Sequence, residues 1–371
     1  MNQNKSTKQR LVFTVINDIN YDQRMIRICN SLQESGYDVL LIGKERPDST
    51  SLHKQAFATK RLAVKQKEGK LMYAIYWIKL FFYLLFTKAD AFCATDLDSI
   101  IPIYYASLIR RKPRIYDGHE LFTEMKEVVT RPKVKKMWDW IEKKYLPRFQ
   151  HGYTIGPAYA AYFKEKYNLD FKIVRNATVL EEYKRKETNE KFILYQGAVN
   201  EGRCFEQLLP AMKLVPYKLI ICGKGNYFEK AKEEIKRLHL EKQVILKGYI
   251  PPKELKSFTR KAHIGITLFD GLSLSNQLSM ANRYFDYMHA GVPQICMNFK
   301  EYRDVNTKFE IAYLIPHPPQ VEDIAEGLKK LMEDASYHKK LQENCKLARE
   351  EYNWQNEEKT LIKFYHDLFK N

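Results

Sequence analysis

Short apolar runs alternate with helical patterns from the start of the chain. Arg10–Asn17 contains the continuous apolar run LVFTVI, which predicts a buried β-strand. A helix is predicted next, because apolar residues recur at the i, i+3, i+4, i+7 spacing of one helix face: Met25, Ile28, Cys29 and Leu32. Gly36 is suited to end this helix, and Val39–Ile42 predicts the next strand. The strand–helix–strand order predicts a parallel sheet with a right-handed crossover.

The alternation continues and then starts again in the second half. Ala91–Ala94 and Arg114–Tyr116 predict strands, with a helix over Ile100–Leu108 between them. Glu181–Lys191 is a charged run without an apolar period, which is typical of a linker. After it, four parallel strands are predicted at Phe192–Tyr195, Lys218–Cys222, Val244–Leu246 and Ile264–Leu268. Further helices are predicted over Asp323–Met332, Lys339–Glu350 and the amphipathic Glu357–Phe369.

Leu71–Phe86 is the most apolar stretch of the chain. It has many aromatic side chains and a single charge, Lys79, and it is too short and too rich in tyrosine to predict a membrane span. The favoured interpretation is a helix buried in the first domain, because its residues are apolar on nearly all sides. The alternative is a helix in the membrane interface, with Lys70, Lys79 and Lys88 directed at lipid headgroups.

The length and the cysteines fit a two-domain cytoplasmic protein. The chain has 371 residues, of which 45% are hydrophobic and 29% are charged, as in soluble globular proteins. The opening sequence MNQNKSTKQR is not followed by an apolar segment, so no secretory signal is predicted. The six cysteines lack metal-binding spacing, which favours buried, reduced thiols.

The positive charge is concentrated in the first half. The net charge is +17, and residues 1–180 have 31 Lys and Arg against 18 Asp and Glu. Basic residues cluster between Arg131 and Arg148, interleaved with Trp138, Trp140 and Tyr145, which predicts a helix with a basic face. Such a field favours an anionic partner, namely nucleic acid, anionic lipid or a phosphorylated substrate. The simpler alternative is a surface of solvated lysines.

Asn282–Pro293 is the strongest local motif. Asn282 and Asp286 are four residues apart and share one helix face, with Arg283 beside them, and Gly291 is suited to end the helix. A carboxylate on such a helix can accept both hydroxyls of a ribose, and a neighbouring arginine can bind a pyrophosphate. The alternative is an ordinary surface helix with an Asp/Arg pair.

Glycines follow three consecutive predicted strands of the second half. They are Gly197, the pair Gly223 and Gly225, and Gly248. Glycine at the carboxyl end of a strand lets backbone N–H groups approach a phosphate, in the place where α/β sheets bind ligands. Arg203 lies close enough in sequence to Gly197 to reach the same phosphates.

Polar residues also follow the predicted strands of the first half. They are Asp22 and Arg24 in the first loop, Asp96 and Asp98 after the strand at Ala91–Ala94, and His119 and Glu120 within Tyr116–Glu120. Such convergence predicts a binding site, although His119 could instead be a hydrogen-bonded structural histidine. The spacing matches no standard metal pattern.

Taken together, these motifs resemble the family-4-like bacterial glycosyltransferases of the GT-B fold. The resemblance spans nearly the whole chain, and the segments that carry it are Asn17–Arg24, Asp96–Asp98, Tyr116–Phe122, Gln196–Arg203, Gly223–Gly225, Asn282–Pro293 and Tyr352–Trp354. It implies an α/β protein with two Rossmann-like domains facing a cleft. Residues 1–178 would bind the acceptor, residues 179–352 would bind the nucleotide-sugar, and residues 353–371 would form a helix that crosses back to the first domain.

The resemblance also implies an activity and its residues. The activity is transfer of a sugar from a nucleotide-sugar donor to a polysaccharide or lipid-linked acceptor, with retained anomeric configuration and without a metal ion or cofactor. The implied catalytic residues are His119, Arg203 and Arg283. The implied donor-binding residues are Gly197, Gly223, Gly225, Asn282 and Asp286. Asp22, Arg24, Asp96, Asp98 and Glu120 would line the acceptor side or the cleft. The expected setting is cytoplasmic, with peripheral contact to an anionic membrane left open and no nucleic-acid partner.

Four positions depart from the pattern of this family. The first acid of the E-x7-E motif would fall at Leu278, so only its second acid is present, as Asp286 in place of the usual glutamate. Arg283 replaces the usual lysine, and Thr95 stands where relatives often have histidine. Two other functions stay open at this stage: a nucleotide-sugar epimerase of the same fold, and a non-catalytic binder of nucleotide-sugars or nucleic acid. The basic, aromatic Leu71–Lys144 region favours an acceptor at a membrane over an epimerase.

Overall fold

The structure is a computed structural model that describes residues 8–47, 49–66, 68–185 and 190–370. The first seven residues, and with them part of the segment used to predict the absence of a secretory signal, lie outside the described residues. So does the middle of the predicted linker Glu181–Lys191. The chain forms two compact units, Met1–Arg175 with Glu358–Asn371, and Asn176–Glu357. The sequence places the corresponding boundaries after residues 178 and 352.

Within the described residues, the first unit contains a seven-stranded parallel sheet with the strand order β3-β2-β1-β4-β5-β6-β7. Its strands are β1 (Arg10–Thr14), β2 (Asp38–Glu45), β3 (Ala58–Ala63), β4 (Ala91–Thr95), β5 (Arg114–Gly118), β6 (His151–Thr154) and β7 (Lys172–Ile173). Its helices are α1 (Gln23–Glu34), α2 (Lys70–Phe86), α3 (Ile100–Arg110), α4 (Lys126–Val129), α5 (Pro132–Tyr145) and α6 (Pro157–Tyr167). Short 3-10 helices span Leu97–Ser99, Phe122–Glu124 and Leu146–Arg148.

The second unit contains a six-stranded parallel sheet with the order β10-β9-β8-β11-β12-β13. Its strands are β8 (Phe192–Gln196), β9 (Lys218–Cys222), β10 (Val244–Gly248), β11 (Ile264–Thr267), β12 (Gln294–Met297) and β13 (Ala312–Ile315). Its helices are α7 (Phe205–Met212), α8 (Phe228–Arg237), α9 (Pro252–Lys261), α10 (Leu274–Leu278), α11 (Asn282–Ala290), α12 (Lys300–Phe309), α13 (Val321–Glu333) and α14 (Ala335–Glu351). The last helix, α15 (Trp354–Leu368), follows α14.

The predicted parallel α/β architecture is confirmed, and every strand predicted from an apolar run is present. The run at Arg10–Asn17 ends as a strand at Thr14, earlier than predicted. Five strands were not predicted: β3, β6, β7, β12 and β13. They are short or carry polar residues, as in β3 (ATKRLA) and β6 (HGYT), so their sequences lack a clear period. Their neighbours in the sheet supply the pairing that stabilises them.

The predicted return of the C-terminal helix to the first unit is confirmed. Tyr365 of α15 is fully buried, with its ring centroid 6.0 Å from that of Phe13 in β1 and 6.2 Å from that of Tyr153 in β6. Ser31 of α1 donates a 2.6 Å hydrogen bond from Oγ to Oε2 of Glu358. Aromatic burial against two strands and one helix therefore fixes this segment to the first sheet.

Helix α2 differs from its favoured prediction. Its buried residues form one narrow stripe at four-residue spacing: Met72, Tyr76, Leu80 and Leu84. The opposite side is open to solvent, and Phe86 is 86% exposed. The prediction of a helix buried on nearly all sides is therefore wrong. Within the described residues, no helix combines the length and the apolar character needed to cross a bilayer.

Candidate functional site

A buried ion pair lies at the carboxyl edge of the first sheet. Strands β1, β4 and β5 are neighbours, so the loops that follow them meet there. Arg24, in the first turn of α1, donates from Nη2 to Oδ1 of Asp117 in β5 at 2.9 Å, and from Nη1 to the carbonyl oxygen of Val174 at 2.9 Å. The side chains of Arg24 and Asp117 are only 3% and 0% exposed. Burial alone would raise the pKa of Asp117, but the charges of Arg24 and His119 outweigh burial and lower it.

His119 contacts both members of this ion pair. Its Nε2 atom lies 2.7 Å from Oδ2 of Asp117 and 2.6 Å from Nε of Arg24. An arginine Nε can only donate, so Nε2 of a neutral imidazole must either accept from Arg24 or donate to Asp117. Burial would lower the pKa of His119, but the carboxylate of Asp117 outweighs burial and raises it.

Asp96 fixes the loop that carries His119. Its Oδ1 accepts hydrogen bonds from the backbone N–H groups of His119 at 2.7 Å and Glu120 at 3.0 Å. Its own backbone N–H donates to the carbonyl oxygen of Asp117 at 2.9 Å, and its φ of 52° is unusual for a residue other than glycine. Burial raises the pKa of Asp96 to about 7. Asp96 therefore acts on the site through the backbone that it holds.

The other predicted cleft residues of the first unit also make structural contacts. Oδ1 of Asp98 accepts from the hydroxyl of Tyr73 at 2.6 Å, and the Asp98 carbonyl accepts from Nε1 of Trp77 at 2.6 Å. Burial raises the pKa of Asp98 to about 6. Asp22 is the N-cap of α1, where its Oδ1 accepts from the backbone N–H of Met25 at 3.1 Å. The structure thus brings Arg24, Asp96, His119 and Glu120 together, with Asp98 facing α2.

The glycines of the second unit fall into two kinds. Gly223 has a φ of 154°, and a Cβ there would overlap the carbonyl oxygen of Gly197. A Cβ at Gly225 would overlap the carbonyl oxygen of Val199 and the side chain of Asn200. These two glycines are therefore needed where the loops after β8 and β9 cross. For a Cβ added at Gly197, Nη1 of Arg283 is the single atom within 4 Å among the described residues, at 3.5 Å, the adjacent residues aside.

Arg203 and Arg283 lie at the same aromatic ring. Their Cζ atoms are 4.4 Å and 4.9 Å from the centroid of the Phe269 ring, and Cζ of Arg283 is also 4.9 Å from the centroid of Tyr195. Arg203 donates from Nη1 to Oδ1 of Asn276 at 3.3 Å, and Arg283 donates from Nη2 to the Leu268 carbonyl at 3.4 Å. Arg283 is 8% exposed. The buried Arg283 and the half-buried Arg203 thus place two guanidinium groups at one ring, an arrangement that attracts anions.

Asp286 is held by side chains from outside α11. Its Oδ1 accepts from the hydroxyl of Thr178 at 2.7 Å, and its Oδ2 accepts from Nε2 of Gln196 at 2.9 Å. Oε1 of Gln196 in turn accepts from the hydroxyl of Thr259 at 2.7 Å. Asn282, the first residue of α11, accepts at Oδ1 from Nδ2 of Asn176 at 2.6 Å.

Helix α11 is a core helix. Tyr284, Phe285 and Met288 are buried as the spacing predicts, and Gly291 ends the helix with a φ of 65°. The alternative of an ordinary surface helix is therefore wrong. Among the described residues, no group of three or more His, Cys, Asp and Glu is arranged to hold a metal ion.

Four residues that complete these clusters were missed as site residues: Asp117, Phe269, Gln196 and Thr178. Asp117, Gln196 and Phe269 lie at or just beyond the ends of strands, where a polar or aromatic residue was a usable signal. Thr178 lies outside any element, and only its contact with Asp286 reveals it.

Residues 178–348 match the family model described as Glycosyl transferases group 1. The matched segment begins at Thr178, the partner of Asp286, and contains both arginines and the glycine loops. The poly(glycerol-phosphate) alpha-glucosyltransferase of Bacillus subtilis is 30% identical over 137 residues, 36% of this chain and 19% of that protein. The chain thus covers about a fifth of the length of this relative.

Solved structures resemble the chain over nearly its full length. Sucrose-phosphate synthase from Thermosynechococcus elongatus superposes with a TM-score of 0.82 at 16% identity, covering 98% of this chain and all of the other. HepE from Anabaena, solved with UDP-glucose, gives a TM-score of 0.74 at 12% identity, covering 96% of this chain and 99% of the other. At such identities the likeness shows the fold, and it supports the predicted GT-B class. The prediction of a glycosyltransferase is confirmed for the matched domain.

Proposed function

We propose that this protein is a retaining, metal-independent glycosyltransferase with a nucleotide-sugar donor and a polysaccharide or lipid-linked acceptor. The observation that carries the proposal is the pair Arg203 and Arg283 at the Phe269 ring, beside Gly197. This centre lies inside the segment that matches Glycosyl transferases group 1. Two adjacent guanidinium groups can bind the negative charge of a diphosphate, because arginine binds phosphate oxygens in a bidentate manner.

The second unit would hold the donor around this centre. The open side of Gly197 leaves its backbone accessible to a phosphate, whereas Gly223 and Gly225 shape the loops. We assign the ribose to Asp286 and Asn282. Each Asp286 oxygen accepts a hydrogen bond from a side chain of the protein, which fixes the orientation of a carboxylate that can accept from hydroxyl groups.

The chemistry requires charge neutralisation on the leaving group. The bond between the anomeric carbon and the diphosphate oxygen breaks, and the diphosphate takes the bonding electrons. A bond from the anomeric carbon to the acceptor hydroxyl oxygen forms, and the proton of that hydroxyl passes to the departing diphosphate oxygen. Arg203 and Arg283 would stabilise the charge that develops on the diphosphate, the role that a metal ion has in other transferases.

The first unit would serve the sugar and the acceptor. We place His119 near the donor sugar, with Arg24 and Asp117 fixing its ring and Asp96 fixing its backbone. Asp22, Asp98 and Glu120 belong to the same edge of the sheet and would shape the acceptor side. The six cysteines, all described, are free and buried, which supports a reducing, cytoplasmic setting.

The first test is a thermal-shift panel of UDP-, GDP-, ADP- and dTDP-sugars with wild type and Arg283→Gln. UDP-glucose comes first, because HepE was solved with it and the B. subtilis relative is named a glucosyltransferase. We expect one donor class to stabilise the wild type, and Arg283→Gln to weaken its apparent affinity at least about tenfold, since a charge-assisted bond contributes about 1.5–3 kcal/mol.

The matched control is Arg303→Gln in α12. Arg303 is exposed and donates to Oδ1 of Asn298 at 3.1 Å in the same unit, so its loss should leave the donor response unchanged. No response to any donor would refute the donor site. If the protein instead converts the donor to an isomer when no acceptor is present, it is an epimerase.

A further inference from the structure

Helices α2 and α3 expose an apolar surface that the proposed transfer reaction does not use. We call it the docking face, and it consists of Leu71, Ile78, Phe82 and Phe86 of α2 with Leu108 and Ile109 of α3. Each of these six side chains is between 53% and 86% exposed. Exposed apolar residues scattered singly are ordinary in proteins, but a contiguous group marks an interaction surface.

Arg110 joins the two halves of the docking face. Its Nη1 donates to the carbonyl oxygens of Leu84, Leu85 and Thr87 at 3.2, 2.7 and 2.9 Å. The C-terminal end of α3 is therefore fixed beside the C-terminal end of α2. Phe86 is the last residue of α2 and Ile109 is the second-last residue of α3, so both lie next to this junction.

The other side of α2 is held by hydrogen bonds to the core and to Asp98, which keep the exposed side outward. The hydroxyl of Tyr76 donates to the Val15 carbonyl at 2.5 Å in the core. Tyr73 and Trp77 donate to the carboxylate and the carbonyl of Asp98, each at 2.6 Å. These contacts hold α2 in one orientation, with the docking face outward.

Basic residues border the docking face. An open groove of about 620 Å³ is lined by Ile78 and Phe82 together with three basic residues, Lys60, Arg61 and Lys79, and one acidic residue, Glu45. Arg111 directly follows α3. Apolar side chains with lysine and arginine at their rim match the layers of a bilayer, acyl chains below and phosphates above.

Helix α5 adds a similar pattern. Trp140 is 55% exposed, and Nζ of Lys144 lies 4.6 Å from the centroid of its ring. Tryptophan beside lysine is typical of side chains at the level of lipid headgroups. The first half of the chain, which contains α2, α3 and α5, also carries 31 basic against 18 acidic residues.

We propose that the docking face binds the surface of an anionic lipid bilayer, with Phe82 and Phe86 entering the acyl boundary. Charge favours a bilayer over a second copy of this chain, because two copies would bring together molecules of net charge +17 each. The inference does not depend on the sugar transferred. It would place the protein where a lipid-linked acceptor resides, which deepens the proposed function.

The test is co-sedimentation of the full chain with vesicles, without donor. Vesicles of phosphatidylcholine with phosphatidylglycerol should bind the wild type, and pure phosphatidylcholine vesicles or high salt should bind it much less. The variant Phe82→Ser/Phe86→Ser should bind at least about tenfold more weakly. Because both side chains are exposed, its thermal unfolding midpoint and its donor response should match the wild type.

The matched control is Leu214→Ser/Leu347→Ser in the second unit. These leucines are 46% and 62% exposed but lie outside the docking face, so vesicle binding should be unchanged. Equal loss in both double variants, or no vesicle binding by the wild type, would overturn the proposal. Self-association that disappears in Phe82→Ser/Phe86→Ser, without vesicle binding, would show that a second copy covers the face. Because this experiment contains no donor, a negative result refutes membrane binding without bearing on the donor site.

Discussion

Nε2 of His119 lies 2.7 Å from Oδ2 of Asp117, whose other oxygen accepts a hydrogen bond from Arg24. His119 and Arg24 therefore contact the same carboxylate, which is fully buried. Removing that charge would leave the guanidinium of Arg24 buried without a counter-ion. A buried cation without a partner is costly, whereas an intact pair is close to neutral.

We therefore expect Asp117→Asn to lower the free energy of unfolding by about 3–5 kcal/mol. Urea unfolding followed by tryptophan fluorescence measures it, because Trp77, Trp138 and Trp140 all report on the first unit. The control is Asp38→Asn, which removes an exposed partner of Arg10 and should cost less than about 1 kcal/mol. Equal losses in the two variants would contradict the buried network.

The raised pKa of Asp96 predicts a pH-dependent stability. Its folded pKa, about 7, lies above the ordinary 3.8, so between these values the folded state holds a proton that the unfolded state has released. Stability therefore falls as the pH rises through this window, by at most about 1.4 kcal/mol per pH unit from this group. Asp98 acts in the same direction up to about pH 6.

The variant Asp96→Asn should flatten this dependence. The amide oxygen can still accept from the N–H groups of His119 and Glu120, and asparagine tolerates the positive φ. Between pH 5 and pH 8, the thermal midpoint of Asp96→Asn minus that of the wild type should therefore increase as the pH rises. Asp96→Ala, which loses both acceptor contacts, should be less stable at every pH. A wild-type slope in Asp96→Asn would show that Asp96 ionises normally.

Gly223 should tolerate no side chain. A Cβ there would overlap the carbonyl oxygen of Gly197, which is backbone and cannot move aside, and the φ of 154° adds strain. We expect Gly223→Ala to lower the thermal midpoint far more than Gly36→Ala. Gly36 also has a positive φ, 98°, but an added Cβ would meet no atom within 4 Å in the part of the chain that the structure describes, so a backbone strain of about 1–2 kcal/mol is expected there. Similar midpoints would mean that the two loops do not cross as described.

A stacked histidine pair should make the second unit sensitive to acid. The rings of His263 and His338 are 3.9 Å apart and nearly parallel. Burial, followed by the charge of His338, lowers the pKa of His263 to about 3, and burial lowers the pKa of His338. Below about pH 6.5 the unfolded chain therefore binds protons that the folded state does not, and stability falls with falling pH.

His263→Phe should reduce this acid sensitivity, because phenylalanine keeps a ring against His338 but cannot titrate. The measurement is the thermal midpoint between pH 7 and pH 5, with the exposed His53→Phe as the control. The control should keep the slope of the wild type. An unchanged slope in His263→Phe would assign the acid sensitivity to other groups.

The apolar runs along the chain were enough to predict the two parallel sheets and the strand ends where polar residues gather. Dense apolar runs such as Lys218–Cys222 predict strands because burial on both faces requires apolar residues at every position. Positions of the loop residues follow from the strands, so Arg24, Asp96 and His119 could be expected at one edge. Local spacing also predicts the buried face of α11 and its end at Gly291.

Which side chains contact one another, and which surfaces stay exposed, depends on tertiary packing and could not be predicted from the sequence. Arg24 and Asp117 form an ion pair although they are 93 residues apart. On α11, Arg283 contacts Phe269, whereas Asp286 accepts a hydrogen bond from Gln196. For α2, nearly every position is apolar, so no periodicity could separate the buried stripe from the exposed one. The neighbouring strands and α3 cover one side and leave the other in water. Periodicity records what a segment can bury, and packing between distant segments determines what it does bury.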